Sequence, residues 1–295
     1  MNSFTIKDLE CLSGIKAHTI RIWEQRYSFL KPQRTETNIR YYTGDELKTV
    51  LNIALLNKYG FKISHIDKMN TSEIHLKLQS LTDIQAQQER QINALIGHMV
   101  DLATDKFEAD LDIYIQTKGI EKAINNLLFP FLERVGILWQ TNHINPAQEH
   151  LVTNIIRQKL LVGIESATNR FPTGKTVLLF LPETEYHELG LLYVYYLLKS
   201  RGVMVLYLGA NVPLKDVAYI SNIKKPQYLY THITSVVGQL KMEKYLNTLK
   251  EQVPEIPFVV SGQFVQNVHK APSKGFIFKK SLAEVHDFVA SFRNS

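Results

Sequence analysis

The chain of 295 residues is short of several things that would otherwise direct its reading. It has one cysteine, Cys11, so neither a disulfide framework nor a thiolate-rich zinc site can be built within it, and a reducing compartment is expected. Long apolar runs are missing as well. The longest, Leu189 to Leu198, is interrupted by Gly190 and reaches about half of the roughly 20 residues a membrane span needs. No membrane segment is expected. The start, Met1-Asn-Ser-Phe-Thr-Ile-Lys-Asp, has no apolar stretch, so it does not read as a secretory signal and the cytoplasm is the expected compartment. There is no Gly-x-Gly-x-x-Gly after a strand and no Walker A sequence, which leaves a nucleotide-phosphate cradle unsupported. No acid–base pair or nucleophile constellation stands out, and no enzyme activity is expected.

What the chain does have is an ordinary globular composition, 45% hydrophobic and 21% charged, over a length that suggests two or three domains. Its formal charge of +6 is unevenly placed. Met1 to Asn70 holds eleven Lys and Arg against seven Asp and Glu, so +4 sits in the first quarter of the chain. Basic charge gathered on one small module points to a polyanion partner.

Along that module, Thr5 and Asp8 form a capping arrangement ahead of Ile6, Leu9 and Leu12, and Ser13-Gly14 ends the helix. A second helix presents Ile15, Ile20, Trp23 and Tyr27 inward and His18, Thr19, Arg21 and Gln25 outward. This is a helix-turn-helix pattern. Gln33 to Tyr42 reads as a small hairpin or wing, Thr43 with Glu46 caps the next helix, and Ser64 with Asp67 caps a short one after Gly60. From Ser72 to Asn169 helical periodicity dominates, with helices expected at 84–103, 107–116, 120–140 and 146–167, a four-helix bundle. Asn145, Pro146 and Gln148 specify the start of the last. Beyond Pro172 short apolar strands alternate with helices. Strands at 176–181, 203–208, 227–231, 258–260 and 275–278 imply a doubly wound parallel sheet of flavodoxin-like order. The expected division is 1–73, 74–171 and 172–295.

Ligands of such sheets bind beyond the carboxyl ends of the strands. After strand one comes Glu185-Tyr-His187-Glu-Leu-Gly190, after strand three Thr231-His-Ile-Thr-Ser235, and after strand four Ser261-Gly262. An imidazole at His187, with Glu185 to accept from its other ring nitrogen, suits axial attachment of a metal-bearing cofactor. Taken alone, a loop histidine is more often structural. A closed zinc site is excluded, because no further His or Cys ligands cluster there.

Two motif sets then agree. His18-Thr-Ile-Arg-Ile-Trp-Glu-Gln-Arg-Tyr27, Leu30-Lys-Pro-Gln-Arg34, Asn38-Ile-Arg-Tyr-Tyr42 and Gly60-Phe-Lys-Ile-Ser64 resemble the winged helix-turn-helix of MerR-type transcriptional regulators over residues 1 to 70. Glu185-x-His187-x-x-Gly190 with Ser235-x-Val237 and Ser261-Gly262 resembles the cobalamin-binding fold over about 175 to 295. Trp139 followed by Glu149-His150 is similar to the signature of regulators that bind adenosylcobalamin. As a whole the chain resembles the light-responsive, cobalamin-dependent repressors of the CarH-like group.

The resemblance implies that His187 is the lower cobalt ligand, polarised by Glu185, and that Gly190, Ser235, Val237, Ser261 and Gly262 line the site, with Gly190, Ser235 and Gly262 accommodating the displaced nucleotide tail. It implies that Trp139, Glu149 and His150 cover the upper face. It further implies a homo-oligomer, dimer or tetramer, that blocks promoter DNA in the dark and is dismantled by light. Adenosylcobalamin is the expected cofactor, with methylcobalamin or another cobalamin as the alternative upper-ligand form. Arg21, Arg26, Arg34, Arg40 and Tyr41 are expected at phosphates or the groove, with His18 and Thr19 near base edges and Tyr27 beside them. Two positions depart from the group: Ser261 replaces a glycine, and Gln140 stands where light-sensing members carry the histidine that captures cobalt after photolysis. His143 lies three residues on. Two other readings keep parts of this picture, a cobalamin-independent repressor controlled by a protein antirepressor and a corrinoid methyl carrier.

Overall fold

A computed structural model describes residues 3–140, 144–168, 172–234, 239–266 and 275–292. The chain forms two compact units, Met1–Ile155 and Ile156–Ser295.

In the first unit, α1 (Ile6–Ser13) starts on a reciprocal cap: the Thr5 amide donates to Asp8 Oδ2 (2.6 Å) and the Asp8 amide to Thr5 Oγ1 (3.4 Å). It ends at Gly14, whose φ of +73° favours glycine. α2 (Ala17–Arg26) buries Ile20 and Trp23, and Trp23 meets Phe29 edge-on at 5.8 Å. The wing is a pair of short antiparallel strands, β1 (Gln33–Arg34) and β2 (Arg40–Tyr41). α3 (Gly44–Lys58) carries the expected Thr43/Glu46 capping box.

The expected Ser64/Asp67 cap is not formed. α4 (Ile63–Ile66) begins two residues earlier than that cap requires, with Lys62 at its N-cap and no side-chain cap. Ser64 is therefore inside the helix, and Asp67 instead accepts from the amide and hydroxyl of Ser28 (2.8 and 3.0 Å), tying the end of the short helix to the segment after α2. α5 (Thr71–Gln79), unforeseen as a separate helix, has its own box from Asn70 and Glu73.

The bundle comprises α6 (Ile84–Val100), α7 (Thr104–Lys118), the 120–140 rod and α10 (Pro146–Ser166). The rod is not one regular helix. α8 (Ile120–Ala123) runs into a π-helical turn, Ile124–Leu128, before α9 (Phe129–Gln140). The Phe129 amide bonds to the Ile124 carbonyl five residues back, and Pro130 beside it has no N–H with which to resume the ladder at once. At the start of α10 the Asn145 side chain accepts from the Ala147 amide (2.9 Å), and the Asn145 amide donates to Gln148 Oε1 (3.1 Å). Gln148 is buried, and its amide nitrogen caps α6 by donating to the carbonyls of Met99 and Val100 (3.2 and 3.1 Å). Winged module and bundle are joined by polar contacts. Lys48 Nζ pairs with Asp101 (2.6 Å), and Asn93 on α6 donates to the Leu51 carbonyl of α3 (3.3 Å) while accepting from Arg134 of α9 (2.7 Å).

The second unit is built on β3 (Thr176–Pro182), β4 (Met204–Val212), β5 (Tyr228–His232), β6 (Phe258–Ser261) and β7 (Phe276–Lys279), all parallel in the order β4-β3-β5-β6-β7. That is the expected 2-1-3-4-5 order. The crossovers carry α11 (Leu189–Ser200), α12 (Leu214–Lys224), α13 (Gln239–Gln252) and α14 (Gln263–Gln266), and α15 (Leu282–Ser291) follows β7. Val177 to Leu181 of β3 are fully buried, as a strand covered on both faces must be. The topology sets the carboxyl ends of β3, β5 and β6 side by side.

Candidate cobalamin cradle and DNA-facing module

The loop leaving β3 is folded around one carboxylate. Glu185, 1% exposed, accepts through Oε1 from the amides of Tyr186 and His187 (3.0 Å each) and from His187 Nδ1 (2.6 Å), and through Oε2 from the Thr234 amide (3.0 Å). Burying a carboxylate costs several kcal/mol unless donors surround it. Four do so here. β4 fixes the loop from the other side, with the Thr184 amide donating to Asn211 Oδ1 (2.9 Å) and the Asn211 amide to the Glu185 carbonyl (3.1 Å). The His187 side chain is 57% exposed. An Nδ1–H given to the carboxylate sets the tautomer with the lone pair on Nε2, the form an imidazole needs to ligate a metal. Among the described residues no group of His, Cys, Asp or Glu could enclose a metal ion, so His187 suits an ion whose other ligands come from a cofactor. The residues present fit a cobalamin lower ligand at this position.

Beside this dyad lies a histidine that the sequence reading did not single out. His232, the last residue of β5, places Nδ1 2.8 Å from Ser261 Oγ, which also accepts from the Tyr230 hydroxyl (2.8 Å). Burial lowers its pKa to about 4, outweighing the nearby Glu185 carboxylate, so the ring is neutral at physiological pH. The expected strand stopped at Thr231, one residue short; extending the alternation would have put Tyr230 and His232 on one face. Gly190 matters to this ring, because a Cβ there would lie 2.4 Å from His232 Cδ2 and Nε2. Gly262 answers a different need: φ is +96° and a Cβ would lie 2.3 Å from the Ile233 carbonyl oxygen. Glu188 was also missed. It holds Arg157 Nε at 2.8 Å and the Tyr207 hydroxyl at 2.5 Å, and burial with this bond raises the Tyr207 pKa.

Ser235 and Val237 lie outside the described residues, as does His143. Trp139 and Gln140 fall in the last turn of α9, with their side chains outside the described part. Glu149 and His150 fall in the first turns of α10. Glu149 Oε1 accepts from Thr153 (2.5 Å) and Oε2 lies 3.0 Å from His150 Nδ1, the latter ring being 72% exposed.

On the winged module, His18, Arg21 and Arg26 are exposed on α2 and Thr19 is half-buried. Among the described residues Arg21 and Arg26 form no ion pair. Tyr27 packs inward, stacked on Phe29 at 5.7 Å. In the wing, Arg34 donates to Asn38 Oδ1 (2.7 Å) and the Tyr41 hydroxyl to Gln33 (2.6 Å). Arg40 is partly spent on Glu24 (3.2 Å), which the Tyr42 hydroxyl also reaches.

A winged helix-turn-helix, a helical bundle and a sheet with a carboxylate-held histidine at its carboxyl edge define a DNA-binding regulator with a corrinoid-binding half. Residues 4–73 match the model of the MerR HTH family regulatory protein, and residues 91–162, most of the bundle, match that of the B12 binding domain. The chain is 28% identical over 261 residues to the HTH-type transcriptional repressor CarH of Myxococcus xanthus, covering 85% of this chain and 86% of that one. To the HTH-type transcriptional repressor CarA of the same organism it is 29% identical over 210 residues, or 70% of this chain and 68% of that one. The monomethylamine corrinoid protein of Methanosarcina barkeri superposes with a TM-score of 0.52 over 70% of this chain and 100% of its own, at 13% identity, a likeness of fold. The chain is a cobalamin-binding transcriptional regulator of the MerR family, homologous to CarH and CarA.

Proposed function

We propose that the protein is a repressor that binds promoter DNA as a homo-oligomer in the dark with adenosylcobalamin bound, and that light releases it. The observation that carries this reading is the Glu185–His187 dyad, a tautomer-locked imidazole at the ligand edge of the sheet, in a chain whose other end is a MerR module. When bound, adenosylcobalamin supplies a cobalt–carbon bond that light cleaves.

The chain's own residues supply the rest. Glu185 orients His187 and raises its basicity. Trp139, Glu149 and His150 form the cover of the upper face. Arg21, Arg26 and Arg34 meet phosphates, Arg40 and Tyr41 support them from the wing, and His18 and Thr19 face base edges. α9, whose last turn holds Trp139, packs against α1 and α6, and Asn93 links Arg134 of α9 to the backbone of α3. A change at the end of α9 thus has a packed route to the DNA-reading helices. The cofactor shifts the assembly equilibrium only by its different affinity for the two states. Gln140 would offer cobalt a carboxamide, a poorer ligand than imidazole, so illumination is expected to leave a less stable cobalt product. The likeness to the repressors CarH and CarA favours a regulator without enzyme activity, acting in the cytoplasm.

The test combines size exclusion with promoter gel shifts, with and without adenosylcobalamin, dark and illuminated. The reading expects larger assemblies and retarded DNA only in the dark with cofactor. Equal DNA binding in all four samples would support the cofactor-independent alternative instead.

A further inference from the structure

The floor of the cradle holds a ring where the site is expected to hold part of its ligand. Gly190 lies in the first turn of α11, and its missing side chain leaves a recess facing the carboxyl ends of β5 and β6. In this structure the recess is filled. The His232 ring occupies the position of a Gly190 Cβ, with Cδ2 and Nε2 both 2.4 Å from where that atom would stand. The ring is anchored at its other edge through Nδ1, where Ser261 Oγ lies 2.8 Å away. Ser261 Oγ also accepts from the Tyr230 hydroxyl (2.8 Å), and Nε2 is the ring nitrogen at the recess. Described anchorage of the ring is therefore a single neutral hydrogen bond and packing against a glycine, which is weak enough to be exchanged for a ligand.

We propose that His232 is a movable stopper in the floor of the cradle, which must break its bond to Ser261 and turn off Gly190 before a corrinoid bearing a nucleotide tail can seat, and which leaves a tail-free corrinoid unhindered. The proposal rests on the cobalamin reading above and deepens it: His232 becomes the residue that sets which corrinoids the protein prefers. A site whose competent form is a minor one binds more weakly in proportion to that fraction. Removing the stopper therefore strengthens binding of the tailed ligand alone.

The experiment titrates the full-length protein in the dark with adenosylcobalamin and with adenosylcobinamide, the same corrin without its nucleotide, for wild type and His232→Ala. The loss of one neutral hydrogen bond as a barrier to seating predicts a gain for adenosylcobalamin of roughly tenfold in Kd. Adenosylcobinamide should stay within about twofold. An unchanged ratio of the two affinities overturns the proposal, as does weaker adenosylcobalamin binding in the variant, which would make His232 a contact of the tail. If neither corrinoid binds either protein, the cobalamin reading itself fails and this one with it. A second measurement avoids the variant. In wild type labelled with 15N-histidine, adenosylcobalamin should displace the His232 ring resonances and adenosylcobinamide should not; the same response to both ligands contradicts the stopper.

Discussion

Replacing Glu185 by alanine should damage the sheet unit far more than replacing His187, although His187 is the residue proposed to touch cobalt. The reason lies in the hydrogen bonds. The Glu185 carboxylate is buried and terminates three backbone amides, those of Tyr186, His187 and Thr234, besides the His187 ring. Deleting it strands donors that cost about 1 to 3 kcal/mol each when buried without a partner. Tyr186 and His187 are exposed residues whose amides can recruit water, so the lower figure applies and the three together come to about 3 kcal/mol. Glu185→Gln keeps the acceptor oxygen but loses charge and should fall near half of that. His187→Ala removes a ring that is more than half exposed and should cost less than about 1 kcal/mol. Urea unfolding of the apo-proteins, followed by tyrosine fluorescence and circular dichroism, gives the three values. An alanine variant at 185 within 0.5 kcal/mol of wild type would refute the claim that this carboxylate organises the loop.

Three further outcomes follow from the described contacts. His232, held neutral with a pKa of about 4 against an ordinary 6.5, contributes stability that is complete above pH 6.5 and is lost as the pH falls towards 4, because the unfolded chain takes up the proton first. At pH 5 the apo-protein should be about 2 kcal/mol less stable than at pH 7.5 on this account, and His232→Gln should remove that part of the dependence. Asn93→Ala leaves Arg134 and the Leu51 carbonyl without the partner they share and should destabilise the first unit by about 2 kcal/mol in urea unfolding; no change would show that the bridge is idle. Arg26→Ala should reduce the salt slope of promoter binding by about one, whereas Arg40→Ala, already offset by Glu24, should change it less; equal slopes would contradict the assignment.

Much of the architecture is written in local terms. The Thr5/Asp8, Thr43/Glu46 and Asn145/Gln148 caps are each a matter of residues three apart, and the apolar strands of the sheet announce themselves by composition and spacing. The Glu185–His187 pairing was legible for the same reason, two residues on one loop. What was not legible depends on partners far apart in the chain. Asp67 was assigned to Ser64 because they are close in sequence, yet Ser28 claims it across 39 positions. His232 gained its place from Ser261, 29 residues on, and from Gly190, 42 residues back. Gly190 had been read as space for a ligand, and no local rule says that a histidine from the neighbouring strand fills it. The π turn at Ile124–Leu128 is visible only as a proline at position 130, which by itself does not say how the helix will absorb it.

The account's central claim is that this chain takes a cobalamin whose lower ligand is a protein histidine, His187. Electron paramagnetic resonance of the protein-bound Co(II) form tests it most directly, because the axial nitrogen splits each cobalt line by its own nuclear spin. With unlabelled cobalamin and protein carrying 15N-histidine, the account predicts doublet splitting, and no such spectrum from His187→Ala. Triplet splitting from the labelled protein would mean that the cofactor keeps its own 14N base, and would contradict the claim.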